Sequence, residues 1–276
     1  LDGYDKIPNT PLVRGAHPEE ISAAYYYEQI ARHTLVNLGF SEVYTPTLVE
    51  KGDVVIENPL ASDKGALRTN LSENLATSLA LNAHNAILLG VNAIKIFEIG
   101  TVFPKDREVA MLGIAINDLA TKGKKNQVLL DEVVVKLSTA LGAEVLPVFT
   151  KEKNIVEINL TDLISKLPQP TAYKTYELPA QKIFAPFSVY PFISRDIALF
   201  VPEAISEKDV EAVLRENTGS YCIRIDLFDV FKKDGKISYA FRLVFQSPER
   251  TLTDQEVGDT MNTITDAVLK KGWHVR

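Results

Sequence analysis

Ala66-Leu67-Arg68-Thr69-Asn70-Leu71, an apolar helical run through Asn85, and then Ile94-Lys95-Ile96-Phe97-Glu98-Ile99-Gly100 form the stretch on which the fold turns. A second strand, Thr101-Val102-Phe103, is expected directly after it. Leu71, Leu75 and Leu79 recur at four-residue steps, and Ala76, Ala80 and Ala83 keep the helix slim. An arginine next to a helix that feeds a strand ending in Phe-Glu is the layout of an adenylate-binding sheet. Whether that layout still works decides the function.

Upstream, residues 1–16 carry Gly3, Pro8, Pro11 and Gly15 with little periodicity and read as a linker from a preceding domain. A helix is expected from near Pro18, a proline suited to a first helical position, with Glu19 and Glu20 in its first turn. Tyr27, Ile30, Ala31, Thr34, Leu35 and Leu38 form one continuous face, and Gly39 is a plausible left-handed cap. A strand from Ser41 to Leu48 is expected to be an edge or to break at Pro46, which cannot donate to a ladder. Residues 51–64 are loop-like, with Asn58-Pro59 and Ser62-Asp63-Lys64-Gly65 as turn chemistry.

Downstream, the turn Pro104-Lys105-Asp106 leads to a strand from Val109 to Ile116, and so short a connection implies antiparallel neighbours. A helix over 126–141 buries Leu130, Val133, Val134, Leu137 and Leu141 and ends at Gly142. Two more strands near Glu144–Thr150 and Ile155–Leu160 and a short helix from Thr161 complete a first module, taken as 17–180. Pro168, Pro170, Pro179, Pro186 and Pro191 mark the boundary.

The remainder, 181–276, has a clean order. Asp196–Val201 is a strand, and Ser206-x-x-Asp209 opens a helix. Ile223–Phe231 and Ile237–Phe245 alternate around Lys233-Asp234-Gly235, a strong hairpin signal. Thr253-x-x-Glu256 is a capping box, and Trp273-His274-Val275 can form a last strand. The order βαββαβ is that of a ferredoxin-like sandwich.

Composition bounds what such a chain does. Its 276 residues suit about two domains, and 46% hydrophobic residues suit packed cores. A net charge of −6 means that any nucleic-acid contact uses a local patch. One cysteine, Cys222, excludes internal disulfides and a four-cysteine zinc site, which fits a reducing cytoplasm. His17, His33, His84 and His274 show no metal-ligand spacing, and no apolar run reaches the ~20 residues of a membrane span. The opening Leu1-Asp2-Gly3-Tyr4-Asp5, without methionine, reads as a piece of something longer.

Several short motifs, taken in order, resemble the C-terminal part of the β subunit in the bacterial phenylalanyl-tRNA synthetase family. Gly3-Tyr4-Asp5-Lys6-Ile7-Pro8 is similar to the end of that subunit's preceding domain. Leu38-Gly39-Phe40-Ser41-Glu42-Val43-Tyr44-Thr45-Pro46 resembles the first class II motif, used at dimer interfaces. Asn58-Pro59-Leu60, Leu67-Arg68-Thr69-Asn70-Leu71 and Ile96-Phe97-Glu98-Ile99-Gly100 resemble its catalytic-like module. Tyr190-Pro191, Arg195-Asp196-Ile197-Ala198, Leu227-Phe228-Asp229-Val230 and Pro248-Glu249-Arg250-Thr251-Leu252 resemble its ferredoxin-fold anticodon-binding domain. The resemblance implies an α+β chain: an antiparallel class II synthetase-like sheet with helices, then the ferredoxin-like βαββαβ sandwich.

Two departures stand out. A working class II site needs a second-motif arginine for the α-phosphate of ATP and a glycine-rich third motif ending in arginine. Here the strand runs on into Pro104-Lys105-Asp106-Arg107, and no glycine-rich motif with a terminal arginine occurs. Without those cations the adenylation transition state lacks its clamp. The resemblance therefore implies an inactive module bracing a catalytic α subunit in an α2β2 heterotetramer, in a cytoplasmic ligase that attaches phenylalanine to tRNA. ATP and Mg²⁺ are expected for the holoenzyme, with no catalytic, cofactor or metal residue assigned here. No membrane or DNA partner is expected.

Arg68 and Glu98 are open to substrate roles, but the structural reading is favoured: an arginine at a loop–helix junction pairs with a nearby carboxylate. Tyr27, Leu35, Phe40 and Pro46 are the subunit-interface candidates. In the second module Ile197, Leu199 and Val201 share one parity with Ile223, Ile225 and Leu227 as the helix-covered face. The opposite parity carries Ala198, Phe200, Arg224, Phe228, Ala240, Arg242 and Val244. An open sheet with Phe and Arg suits RNA, through stacking and charge. Phe200, Arg224, Phe228 and Arg242, with Lys232, Lys233 and Lys236 at the hairpin tip and Arg250, are the tRNA-binding candidates. Asp196 and Asp226 on the same face oppose that reading. A different class remains open, a stand-alone amino-acid-binding or regulatory protein using its ferredoxin-like domain.

Overall fold

The computed structural model describes Lys6, Pro8 and residues 20–276, apart from residues 106, 152, 177–185 and 234. Pro18, Glu19, Pro179 and Asp234, with nearly all of the 1–16 linker, lie outside the described residues. Contacts divide the chain into two compact units. Leu1–Ala76, Lys95–Ile116 and Lys125–Glu177 form the first; Thr77–Ile94, Asn117–Lys124 and Leu178–Arg276 form the second.

Helix α1 spans Ala23–Asn37, starting later than expected because Ser22 is its N-cap and accepts from the Tyr25 amide at 3.2 Å. The expected strand over 41–48 is two short pieces, β1 (Ser41–Glu42) and β2 (Leu48–Val49), which join different sheets on either side of exposed Pro46. β2 pairs antiparallel with β3 (Ala66–Leu67). Helix α2 (Ser72–Leu89) starts where Asn70 Oδ1 accepts from the Glu73 amide at 3.1 Å. The Glu157 carboxylate accepts from the Leu71 and Ser72 amides at 2.6 and 2.7 Å, placing a negative charge at the helix's positive end.

The two strands expected from Ile94 to Phe103 are one, β4 (Ala93–Val102). With β5 (Val109–Asp118), β6 (Val148–Phe149) and β7 (Ile155–Asn159) it builds a sheet ordered β1-β4-β5-β7-β6. β1 runs parallel to β4, with Ser41 opposite Ile96, whereas β7 is antiparallel to both β5 and β6. The sheet is thus mixed, because a helix rather than a hairpin intervenes between β1 and β4. Helices α1 and α3 (Asn126–Leu141) and the short α4 (Leu160–Ile164) pack Leu35, Leu130, Leu137 and Leu160 against Phe97, Leu112, Ile114 and Ile158. Gly113 lets α2 approach: a Cβ there would meet Leu75 Cδ1 at 2.5 Å.

The second unit holds β8 (Ile193–Pro202), α5 (Glu207–Asn217), β9 (Cys222–Lys233), β10 (Lys236–Phe245), α6 (Asp254–Lys270) and β11 (His274–Val275). The strand order is β11-β8-β10-β9, every pair antiparallel, as the βαββαβ reading requires. Both helices open on complete capping boxes, Ser206/Asp209 and Thr253/Glu256. The core packs Leu199, Val201, Phe241, Leu243 and Phe245 against Val210, Leu214, Ile264 and Val268.

Parity in β9 departs from a simple count of two. The register with β10 shifts between Ala240 and Phe241 and between Val244 and Phe245, leaving Phe228 and Ile223 as the extra residues. A bulge inserts one residue and resets which face follows. Ile223 is accordingly exposed, not on the helix-covered face with Ile225.

Candidate functional site

Arg68 leaves β3 and turns inward, only 4% exposed. Its Nη1 donates to Glu98 Oε1 at 2.7 Å and to Thr45 Oγ1 at 3.1 Å, and its Nε donates to the Thr101 carbonyl at 2.9 Å. Glu98, fully buried on β4, accepts a further hydrogen bond from Thr45 Oγ1 at 2.6 Å. A Cβ on Gly100 would collide with the Arg68 guanidinium, so the glycine leaves room for this pair. One cation and one anion close on each other out of water. The site neutralises itself rather than presenting a charge. Arg68 thus pairs with a carboxylate as expected, and Thr45 is the member that sequence reading missed.

Elsewhere in this region, Lys105 is exposed, and its amide donates to Asp53 Oδ2 at 3.1 Å. Among the described residues no group of three His, Cys, Asp or Glu side chains is placed to hold a metal ion. Among the described residues no helix is long and apolar enough to cross a membrane.

On the second unit's sheet, the face away from α5 and α6 brings several candidates together. Arg242 grips Asp196 with two bonds, at 2.8 Å through Nε and 2.7 Å through Nη2. The same guanidinium carbon lies 5.1 Å from the Phe228 ring centre. This pairing raises the Arg242 pKa above its ordinary value, chiefly through the hydrogen bond to Asp196. Arg224 Nε donates to Asp226 at 2.6 Å, and its other nitrogens reach the carbonyls of Ile87 and Leu88. Those carbonyls end α2, where a cation suits the helix dipole. Gly90, Arg224, Phe228 and Arg242 line a cavity of about 680 Å³ within this unit.

Phe200 is half-buried on β8, opposite Ser238 of β10, which in turn faces Phe231 of β9. Phe231 is 45% exposed, with the Arg276 guanidinium 5.7 Å from its ring. The bulge at Phe228 puts Phe231 on this row, so strict alternation could not find it. Ser238 is 2% exposed, and its hydroxyl makes no hydrogen bond among the described residues.

Lys232 and Lys236 are exposed at the β9–β10 turn, and Lys233 ends β9 opposite Lys236. Arg250 pairs with Glu256, its Nη1 3.0 Å from Oε2, and lies 5.8 Å from the Tyr221 ring. Of the interface candidates, Tyr27, Leu35 and Phe40 are at most 6% exposed and belong to this chain's own core. Pro46 alone of that set is exposed.

Two family models match the chain in succession. That of the phenylalanyl tRNA synthetase beta chain CLM domain matches residues 7–133. That of the ferredoxin-fold anticodon binding domain matches residues 188–276. Along its length the chain is similar to phenylalanine–tRNA ligase beta subunits. Among relatives, the phenylalanine–tRNA ligase beta subunit of Deinococcus radiodurans is 29% identical over 100% of this chain and 39% of its own length. That of Streptococcus mutans is 26% identical over 98% and 40%, and that of Synechocystis 26% over 98% and 39%. The chain thus spans about 40% of these β subunits. Its architecture is α+β, with the buried Arg68–Glu98 pair in the part that matches the CLM model and the Arg–Phe face in the part that matches the ferredoxin-fold model.

Proposed function

We propose that this chain acts as part of the β subunit of a cytoplasmic phenylalanine–tRNA ligase. Its first module, about 17–180, braces a catalytic α subunit, and its second, about 181–276, contacts the anticodon stem–loop of tRNA. The assembly would be an α2β2 heterotetramer. The observation that carries the first half is the sealed Arg68–Glu98–Thr45 cluster. Arg68, beside the Phe-Glu strand, already donates to Glu98, Thr45 and Thr101. These residues do not fit a triphosphate, so no step through ATP or Mg²⁺ is assigned to them; both belong with the α subunit.

The second half is supported by the ferredoxin-fold match and by aromatic rings beside arginines on one sheet face. Phe200, Arg224, Phe228, Arg242, Arg250 and the hairpin lysines Lys232, Lys233 and Lys236 are the proposed RNA contacts, and we add Phe231. Each stacked base would contribute roughly 1–3 kcal/mol. Arg224, Arg242 and Arg250 are all held by carboxylates, so rings and lysines carry the first encounter and the arginines exchange partners afterwards. The amino-acid-binding alternative has no feature of its own to favour it.

The test has two arms. Amino-acid-dependent ATP–pyrophosphate exchange should need the α subunit; exchange by this chain alone would overturn the bracing role. Titration with tRNA should show affinity that falls steeply with salt. No binding at low salt would remove the RNA role.

A further inference from the structure

The loop between β5 and α3 reads Thr121-Lys122-Gly123-Lys124-Lys125. All three lysines are exposed, and none is in an ion pair among the described residues. The nearest carboxylate in sequence, Asp118, is turned into the loop, where it accepts from the Ala120 and Thr121 amides at 3.1 and 3.4 Å and from the Thr121 hydroxyl. Lys122 and Gly123 take positive φ angles of 53° and 77°, and the Gly123 amide donates to the Asp118 carbonyl at 2.7 Å. Three cations are thereby held within four residues. The first turn of α3 carries no acidic residue to offset them.

Five arginines of the second unit differ from these lysines. Arg195, Arg215, Arg224, Arg242 and Arg250 each have a carboxylate partner. In a chain of net charge −6, an unpaired triplet of lysines is, besides the hairpin lysines, a local patch through which a polyanion would be drawn. Its position narrows the choice. Lys122 and Lys124 belong to the same compact unit as the Arg–Phe sheet face, and Lys125 follows them directly in the chain. Leu119 and Ala120, at the start of the loop, line the same cavity as Phe228 and Arg242. A strand of RNA stacked on that face has this loop beside it; an acidic protein surface has no such tie to the aromatic row.

We propose that Lys122, Lys124 and Lys125 form a second phosphate-backbone contact for RNA, apart from the ferredoxin-like sheet. The proposal rests on the RNA-binding reading above. The contact adds charge without base recognition, since lysine meets phosphate as a point charge.

The experiment uses the protein purified with its partner subunit and a transcript of its tRNA. Affinity is measured across a salt series for the parent, for Lys122→Ala/Lys124→Ala/Lys125→Ala, and for the matching triple Lys→Arg variant. Each lost phosphate contact removes roughly 0.7–0.9 from the slope of log affinity against log salt, so the triple alanine variant should be shallower by about 2–3 units. The arginine variant should keep the parental slope. A triple alanine variant that binds with unchanged slope overturns this contact while leaving the sheet-face reading intact. A parent that does not bind at low salt overturns both. Loss of the partner subunit on purification, with an unchanged RNA slope, assigns the loop to protein contact and overturns the proposal.

Discussion

Arg68 shows what a single residue reveals. Both it and Glu98 are at most 4% exposed and 2.7 Å apart, so neither has water to turn to if the other is removed. Arg68→Met should leave the Glu98 charge buried and cost about 3–5 kcal/mol. Adding Glu98→Leu removes that stranded charge, so the double variant should recover part of the loss. Urea unfolding of the parent, both single variants and the double gives the coupling; strictly additive effects would mean the pair is not a closed unit. That Arg68 takes a carboxylate was legible in sequence, because an arginine at a loop–helix junction seeks one; that the carboxylate is Glu98 was not. Thr45 was not, since it lies 53 residues from Glu98, between Tyr44 and Pro46, with no periodicity to say where it points.

At the scale of elements, the sequence displays the features that are decided locally. The Thr253 capping box closes over three residues and stands as expected, and the expected helix start at Ser206 proves to be a capping box as well. The bulges at Ile223 and Phe228 depend on pairing with β10, which local sequence does not display, so simple alternation assigns the wrong faces of β9 past them. The Thr253 box also gives α6 a pH dependence. The Arg250 hydrogen bond first, then the Thr253 amide and hydroxyl, hold the Glu256 pKa down to about 2, against an ordinary 4.5. A carboxyl whose folded pKa is depressed contributes stability above its unfolded pKa and loses it as pH falls toward the folded one. The stabilising effect of Glu256 should therefore be complete above pH 4.5 and fade toward pH 2. Chemical unfolding of the parent and Glu256→Gln across that window should show their midpoints converging; a constant gap would rule the linkage out.

At the scale of the whole molecule, the order of elements and the succession of two modules were legible, because hydrophobic periodicity and turn chemistry recur along the chain. The parallel docking of β1 on β4 was not, since it joins residues more than fifty apart. The two cores carry different reporters. Phe97 is fully buried among Leu35, Leu112 and Leu130 in the first, whereas the only tryptophan, Trp273, is 6% exposed in the second. The two buried clusters share no residue. Phe97→Ala deletes a ring from a site with no water to fill it and should cost the first core about 3–5 kcal/mol. Tryptophan emission, sensing only the environment of Trp273, should then keep its parental midpoint in urea, while far-ultraviolet dichroism shows an earlier phase from the helices of the first core. A shift of the emission midpoint equal to that of the dichroism would mean that the cores unfold as one cooperative unit, and that bracing by the first module and RNA contact by the second stand or fall together.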